Sequence, residues 1–163
     1  MEAVDDDQIA VRELISRVPE VGWDRERARR ILLWLTGGRL GRRRGLYQEP
    51  SLGTPWQDTP SPERLTWRCR GAYLDDQPIF EVDYRTCTRC RLGWVEQPHT
   101  HERYRRLGLA TAGLARLRAE NPGLSWHTLG GHMSMAETFW KTVGTGVAGN
   151  YAQRRPCPHI TSG

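Results

Sequence analysis

The chain has almost no lysine: Lys141 is the only one among 24 basic residues, and the rest are arginine. Phenylalanine is nearly missing too, with two copies, and cysteine is limited to four. No apolar run approaches the roughly 20 residues that a membrane-spanning helix needs. The start, Met1 to Asp7, is acidic, whereas a secretory leader is basic and then apolar. These absences argue against a membrane span, a membrane partner and a signal peptide, so the expected location is the cytoplasm. In that compartment four thiols are expected to be reduced or bound to metal rather than paired as disulfides. No internal repeat is visible.

What is present describes a polar globular chain. At 163 residues, with 37% hydrophobic and 26% charged, it is long enough for one domain with a core. The net charge of +5 and pI near 9.4 favour anions, either the phosphates of a nucleotide cofactor or nucleic acid.

Periodicity and breakers divide the chain. Asp6 or Asp7 is placed to cap a helix to about Arg17, with Ile9, Val11, Leu14 and Ile15 inward and Pro19 beyond its end. Asp24 is placed to cap a second helix over residues 25–36, with Ala28, Ile31, Leu32 and Leu35 inward, Trp34 beside them, and Gly37-Gly38 after it. Residues 1–38 therefore read as a helical pair. Residues 39–62 read as a long basic Gly/Pro-rich loop carrying Arg39, Arg42, Arg43 and Arg44, either a solvated linker or else a lid or a phosphate contact. Three strands follow, over 65–74, 79–85 and 92–97, joined at Asp75-Asp76 and at Cys87–Cys90 into an antiparallel meander. Pro98 is expected to end the third. A helix over 107–118 carries Leu107, Ala110, Leu114 and Leu117 at helical spacing, and a strand at 124–129 should return parallel to the third. A helix at about 134–143 and a short strand at 146–152 complete the pattern. The fold class is α/β (α+β): a mixed sheet, an antiparallel meander then a βαβ unit, flanked by helices. Residues 63–155 would form the core of this single domain and 156–163 a tail.

The junction between the third strand and its helix carries the strongest motif. A helix start offers unpaired N–H groups and partial positive charge, Gly108 lets a ligand approach the backbone, and Arg105 and Arg106 add charge. This is an anion site of diphosphate size in outline. Arg105-x-x-Gly108-x-Ala110 resembles the pyrophosphate-binding motif of the GNAT superfamily of N-acetyltransferases. Ala136-Glu-Thr-Phe139-Trp140-Lys-Thr-Val-Gly144 resembles that family's later helix, an Ala followed by an aromatic pair and a Gly. The resemblance spans about residues 65–152 and implies a divergent GNAT-like fold. It also implies acetyl-CoA lying where two parallel strands splay apart. Backbone groups of Trp94, Val95, Glu96 and Gln97 would then hold the pantetheine arm, and Arg105, Arg106, Leu107, Gly108, Leu109 and Ala110 the pyrophosphate, with Thr111 close by. Leu107 and Leu109 are equally readable as core residues of an amphipathic helix. The family's first strand is not visible in the sequence, and its last is truncated or missing.

Acetyl transfer to an amine needs a base for the amine and a proton donor or anion stabiliser for the leaving thiolate. Glu96 on the central strand is the candidate base, or simply a surface carboxylate. Tyr151 is the candidate acid, or an ordinary half-buried aromatic. His99, His101, His127 and His132 titrate in a useful range and are alternatives. Three positions depart from the family: Trp140 stands where a Tyr acid is usual, Met133 where an Asn is usual, and the loop from Pro98 to Arg105 is long.

Cys87-x-x-Cys90 at a hairpin turn has zinc-knuckle spacing, and Cys157-Pro-His159 could complete four ligands. Against this, a GNAT-like topology might end the tail on the far side of the sheet. Cys69 should fall opposite about Val82, roughly 16 Å along the strand from Cys87, too far to ligate.

Two functions result. One is an acetyl-CoA-dependent N-acetyltransferase whose acceptor is an amine on a small molecule or a protein. The other is an inactive, zinc-stapled GNAT-like module contacting a protein or nucleic acid. A zinc-containing nucleic-acid binder unrelated to GNAT proteins is weakened by the lack of a basic recognition helix.

Overall fold

The computed structural model describes residues 2–24, 31–32, 34–37, 39 and 52–161. In chain order it has α1 (Glu2–Ser16), β1 (Val21–Trp23), β2 (Trp56–Pro60), β3 (Arg68–Leu74), β4 (Gln77–Cys87), β5 (Leu92–Thr100), α2 (Leu109–Glu120), β6 (Ser125–His127), α3 (Glu137–Gly144) and α4 (Pro158–Thr161). The strands form one open, mixed six-stranded sheet in the order β1-β2-β3-β4-β5-β6. β2 to β5 pair antiparallel, while β1 lies parallel to β2 and β6 parallel to β5. The meander and the parallel return through a helix follow the sequence pattern.

Alternation along the strands makes two cores. Phe80, Val82 and Tyr84 of β4 join Val95 of β5 with Val11 and Leu14 of α1 and Leu109, Leu114 and Leu117 of α2. Trp126, Trp140, Val143 and Tyr151 extend this core under α3. Gly113 sits where α2 presses on the sheet: a Cβ there would lie 2.5 Å from the Phe80 ring, so glycine sets the helix–sheet distance. Trp94, one step from Val95, points to the opposite face. There Trp67, Cys87, Leu92, Trp94, Cys157 and Ile160 form a second cluster.

Several expectations need correction. Residues 39–62 are not one loop, because they contain β2, which is buried at Trp56, Gln57 and Asp58. Two strands, not none, precede the meander. β2 escapes pattern reading because its centre is a buried carboxylate, and β1 because it is three residues long. No strand covers 146–152; the chain turns there and makes a single bridge, Thr128 to Gln153. Pro98 does not end β5. A bulge opposite Val82, where Gln97 adopts φ 48°, absorbs it, and pairing resumes at His99 and Thr100. α1 begins at Glu2, so Asp6 and Asp7 do not cap it, and Asp7 instead pairs with Arg103. Ile9 is exposed rather than inward. Leu65 is exposed and β3 starts at Arg68. Of the second helix, Asp24 and residues 31–32 and 34–36 are described, and its apolar members Ile31, Leu32, Trp34 and Leu35 are exposed. Ala28, Arg42, Arg43 and Arg44 lie outside the described residues.

Candidate functional site

The β4–β5 hairpin and the tail together build the clearest chemical cluster. Cys87 ends β4, Cys90 sits in the turn, and Cys157 and His159 come from the tail. Their ligand atoms all lie within 4.8 Å of one another, and Cys90 Sγ is 3.1 Å from His159 Nδ1. A tetrahedral ion with bonds near 2.3 Å needs donor–donor spacings of roughly 3.5–4 Å, which small side-chain shifts provide. The amide of Cys90 points at Cys87 Sγ and, with help from Cys157, holds that thiol below its ordinary range. Burial, then the neighbouring thiols of Cys157 and Cys87, pushes Cys90 up to about 11. Three unbridged thiols and an imidazole brought this close form a four-atom donor set of the kind that binds a metal ion on losing the thiol protons. The cluster can hold one.

The expectation that the tail ends on the far side of the sheet does not hold. Residues 151–154 run beside β6, with Tyr151 N–H donating to Trp126 O and Arg154 N–H to Thr128 O. The indole N–H of Trp94 then donates to Arg154 O at 2.9 Å, and the tail turns back over Trp94 and Leu92 to the hairpin. Cys69 is opposite Asp83, one position from the expected Val82, and takes no part in the cluster.

The opposite end of the sheet carries the anion motif. β5 and β6 pair through Leu92–Ser125, Gly93–Trp126 and Trp94–His127, and then part. Val95 is fully buried and Gln97 exposed at the bulge. Beyond β5 the backbone turns through Arg106 at φ 65° and Gly108 at φ 96°, which is the N-cap of α2. The carbonyl of Gly108 accepts from Ala112 N–H. Among the described residues, no backbone bond from the turn engages the N–H groups of 106–111. Arg105, Arg106, Gly108 and Thr111 are exposed, Leu107 and Ala110 half-buried, and Leu109 buried in the core. Arg105 also pairs with Glu102 and donates to Thr100 O.

Glu96 lies in the opening itself. One carboxylate oxygen accepts the amides of Leu129 at 2.5 Å and Gly130 at 3.4 Å, and the other lies 3.7 Å from Arg64. The carboxylate therefore bridges the gap between the parting strands. Tyr151 is fully buried against Trp140, and its hydroxyl accepts a hydrogen bond from Arg118. Burial raises its phenol and the Arg118 charge partly offsets this. That places the hydroxyl within the core rather than at a ligand surface. His127 bonds Ser125 and Ala152 O, and burial lowers its pKa. His132 contacts Tyr151 O at 2.9 Å and stacks on Trp140 at 4.7 Å. His99 and His101 are exposed. Met133 is 71% exposed.

Two constellations were not anticipated. Asp58, fully buried, accepts from Arg68, from Arg70 and from Tyr84 at 2.6 Å, and Arg70 reaches Glu120 on α2 at 2.6 Å. Five polar residues from three strands and a helix leave no local spacing to read. Arg64, from a loop, lies over Trp67 at 5.3 Å and between Asp83 at 3.5 Å and Glu96. The pairing of Asp83 with Glu96 across β4 and β5 was readable only with the bulge in place. Burial raises the Asp83 carboxyl. A cavity of about 690 Å³ lies beside His132, Trp140, Lys141 and Gln153, and another of about 620 Å³ beside Trp23, Arg68 and Arg116; neither is lined by Arg105–Ala110.

Compared with protein-family models, with curated proteins and with solved structures, the chain matches none.

Proposed function

We propose that the chain is an acetyl-CoA-dependent N-acetyltransferase with a GNAT-like arrangement of its sheet. One observation carries this reading. Two neighbouring parallel strands part after Trp94 and His127, beside a turn whose amides from Arg106 to Thr111 have no backbone partner among the described residues. Such amides, with two exposed arginines and a helix N-terminus, suit a diphosphate. The backbone of Val95 and Gln97 would meet the pantetheine arm, and Arg105, Arg106, Leu107, Gly108, Leu109 and Ala110 the pyrophosphate. The bound thioester supplies an activated acyl carbon. Glu96, already in the opening, would take the proton of the attacking amine, either on a small molecule or on a protein. Oε1 holds the Leu129 and Gly130 amides, so the proton would go to Oε2, which lies 3.7 Å from Arg64. The Tyr151 hydroxyl accepts from Arg118 and keeps its own proton to give, but from its buried position it would have to reach the opening to act as the acid.

For the cysteine–histidine cluster we propose zinc, because three thiolates and one imidazole in a closed four-ligand set suit its tetrahedral preference. Such an ion would have no open position for a substrate, so its part is structural.

The second reading, an inactive zinc-stapled module that contacts a protein or nucleic acid, is favoured by two observations. Glu96 is occupied, and Trp140 offers an indole N–H that cannot serve as an acid. Thermal unfolding with and without acetyl-CoA separates the possibilities. Ligand at 100 times its dissociation constant adds roughly 2.7 kcal/mol. A shift with turnover on an amine panel supports the enzyme, and a shift without turnover supports the inactive module. No shift removes the coenzyme A reading.

A further inference from the structure

The second core is covered on one side by a short segment with little regular structure, residues 155–161. Ile160 and Cys157 close over Trp67, Leu92 and Trp94, yet the tail's last regular element spans only Pro158–Thr161. Beyond Arg154, the backbone bond described for the tail is local, Ile160 N–H to Cys157 O. Local backbone bonding of this kind does little to offset the entropy of ordering the segment. The four ligand atoms within 4.8 Å lie at the far end of that segment and tie it to the β4–β5 hairpin.

We propose that a metal ion held by Cys87, Cys90, Cys157 and His159 is the lock of this end of the molecule: residues 155–161 fold over Trp94 and Trp67 only when it is bound. Binding exchanges the thiol protons for the ion, and the energy released there orders the tail. The lock extends further through Trp67. The turn over residues 61–67 is held by Ser61 Oγ accepting the amides of Glu63 and Arg64, and its one buried anchor is Trp67. Arg64 stacks on that indole and reaches Asp83 and Glu96. The ion therefore acts on Glu96 at a distance: with the tail released, Trp67 loses its cover and Arg64 its platform. The tail lock stands on the cluster alone. Only the significance of Glu96 rests on the acetyltransferase reading, so loss of a coenzyme A shift with the lock intact would remove that reading and not this one.

Limited trypsin digestion and amide exchange of the full chain test the lock, with zinc added and after chelation. The Arg154–Arg155 bond is the reporter, since cleavage there releases the tail. The metal-loaded protein should contain close to one zinc per chain and resist cleavage. Chelation should speed cleavage and exchange over 155–161 at least tenfold, raise exchange over 61–67, and leave Leu109–Glu120 of α2 far better protected than the tail. Cys157→Ser should reproduce the chelated state, and Cys69→Ser should behave as wild type. Zinc content near zero would overturn the proposal, as would equal tail protection with and without metal. Opening of α2 together with the tail would also overturn it, because the ion would then staple the whole fold.

Discussion

The two ends of the sheet handle unsatisfied chemistry in opposite ways. At the hairpin end, thiols, an imidazole and tryptophans from distant parts of the chain converge and shut. Beneath the other face the Asp58–Arg70–Glu120 network is buried, with Asp58 and Arg70 fully so, although Arg70 Nη1 has no hydrogen-bond partner there. At the end where β5 and β6 part, the turn's amides and two arginines stay exposed, and only Glu96 reaches across the gap. The surface left unpaired lies where a ligand could supply the missing acceptors. A fold this small keeps an open, polar end only if the rest is tightly tied.

The largest effect should come from breaking the closed end. Chelation removes the cover over Trp94 and Trp67, and the melting temperature should fall by roughly 10 °C, at ~2–4 °C per kcal/mol for a chain of this size. Calorimetry before and after zinc is restored measures it. Asp58→Ala comes next. It removes the carboxylate that Arg68, Arg70 and Tyr84 share and leaves Arg70 to Glu120 alone, and breaking such a buried pair costs about 3–5 kcal/mol. Denaturant unfolding should show this loss, while Asp58→Leu combined with Arg70→Met should recover most of it. A full loss in the double variant would mean that packing, not pairing, sets the cost.

The open end should respond differently. At Gly108, φ is 96° and a Cβ would meet only Ile15, at 3.4 Å. Gly108→Trp should therefore cost about 1–3 kcal/mol of backbone strain. If the coenzyme A reading is right, it should also abolish the thermal shift with acetyl-CoA. An unchanged shift would dissociate this turn from any coenzyme site. The smallest effect concerns His127, between the two ends. Burial lowers its pKa below 6.5, so the folded state binds its proton less readily than the unfolded chain. Its stabilisation is complete above that value and is lost as pH falls from there toward the lower folded pKa. Urea midpoints measured at neutral pH and at about pH 5.5 should drop less for His127→Gln than for wild type. Equal drops would assign the acid sensitivity elsewhere, to the thiolates first.

The sequence announced the elements whose signals are local. Alternation placed Phe80, Val82 and Tyr84 opposite Glu81 and Asp83, helical spacing placed Leu114 and Leu117 inward, and Asp75-Asp76 marked a turn. Cys-x-x-Cys followed by Cys-Pro-His marked the metal donors, and the structure brings all four together. β2 was not legible because Asp58 is buried by long-range pairing with Arg68, Arg70 and Tyr84, which inverts the usual rule that carboxylates face water. The roles of Arg64 and Tyr151 were not legible either. A loop arginine gives no sign of which carboxylates it will reach, and a tyrosine after a helix gives none that Arg118 awaits it.

By itself the sequence determined the meander, the parallel return through α2 and the identity of the four candidate ligands; it put Gly108 in the first helical turn, whereas Gly108 is the N-cap and α2 starts at Leu109. Period, turn chemistry and donor type are properties of neighbouring residues, and they survive in one dimension. The tertiary structure alone decided that the tail doubles back over Trp94 to the hairpin and that Pro98 is absorbed by a bulge. It alone set Glu96 across the gap between the parting strands. These depend on which distant surfaces find each other, and that is settled by the summed burial and pairing of the whole chain.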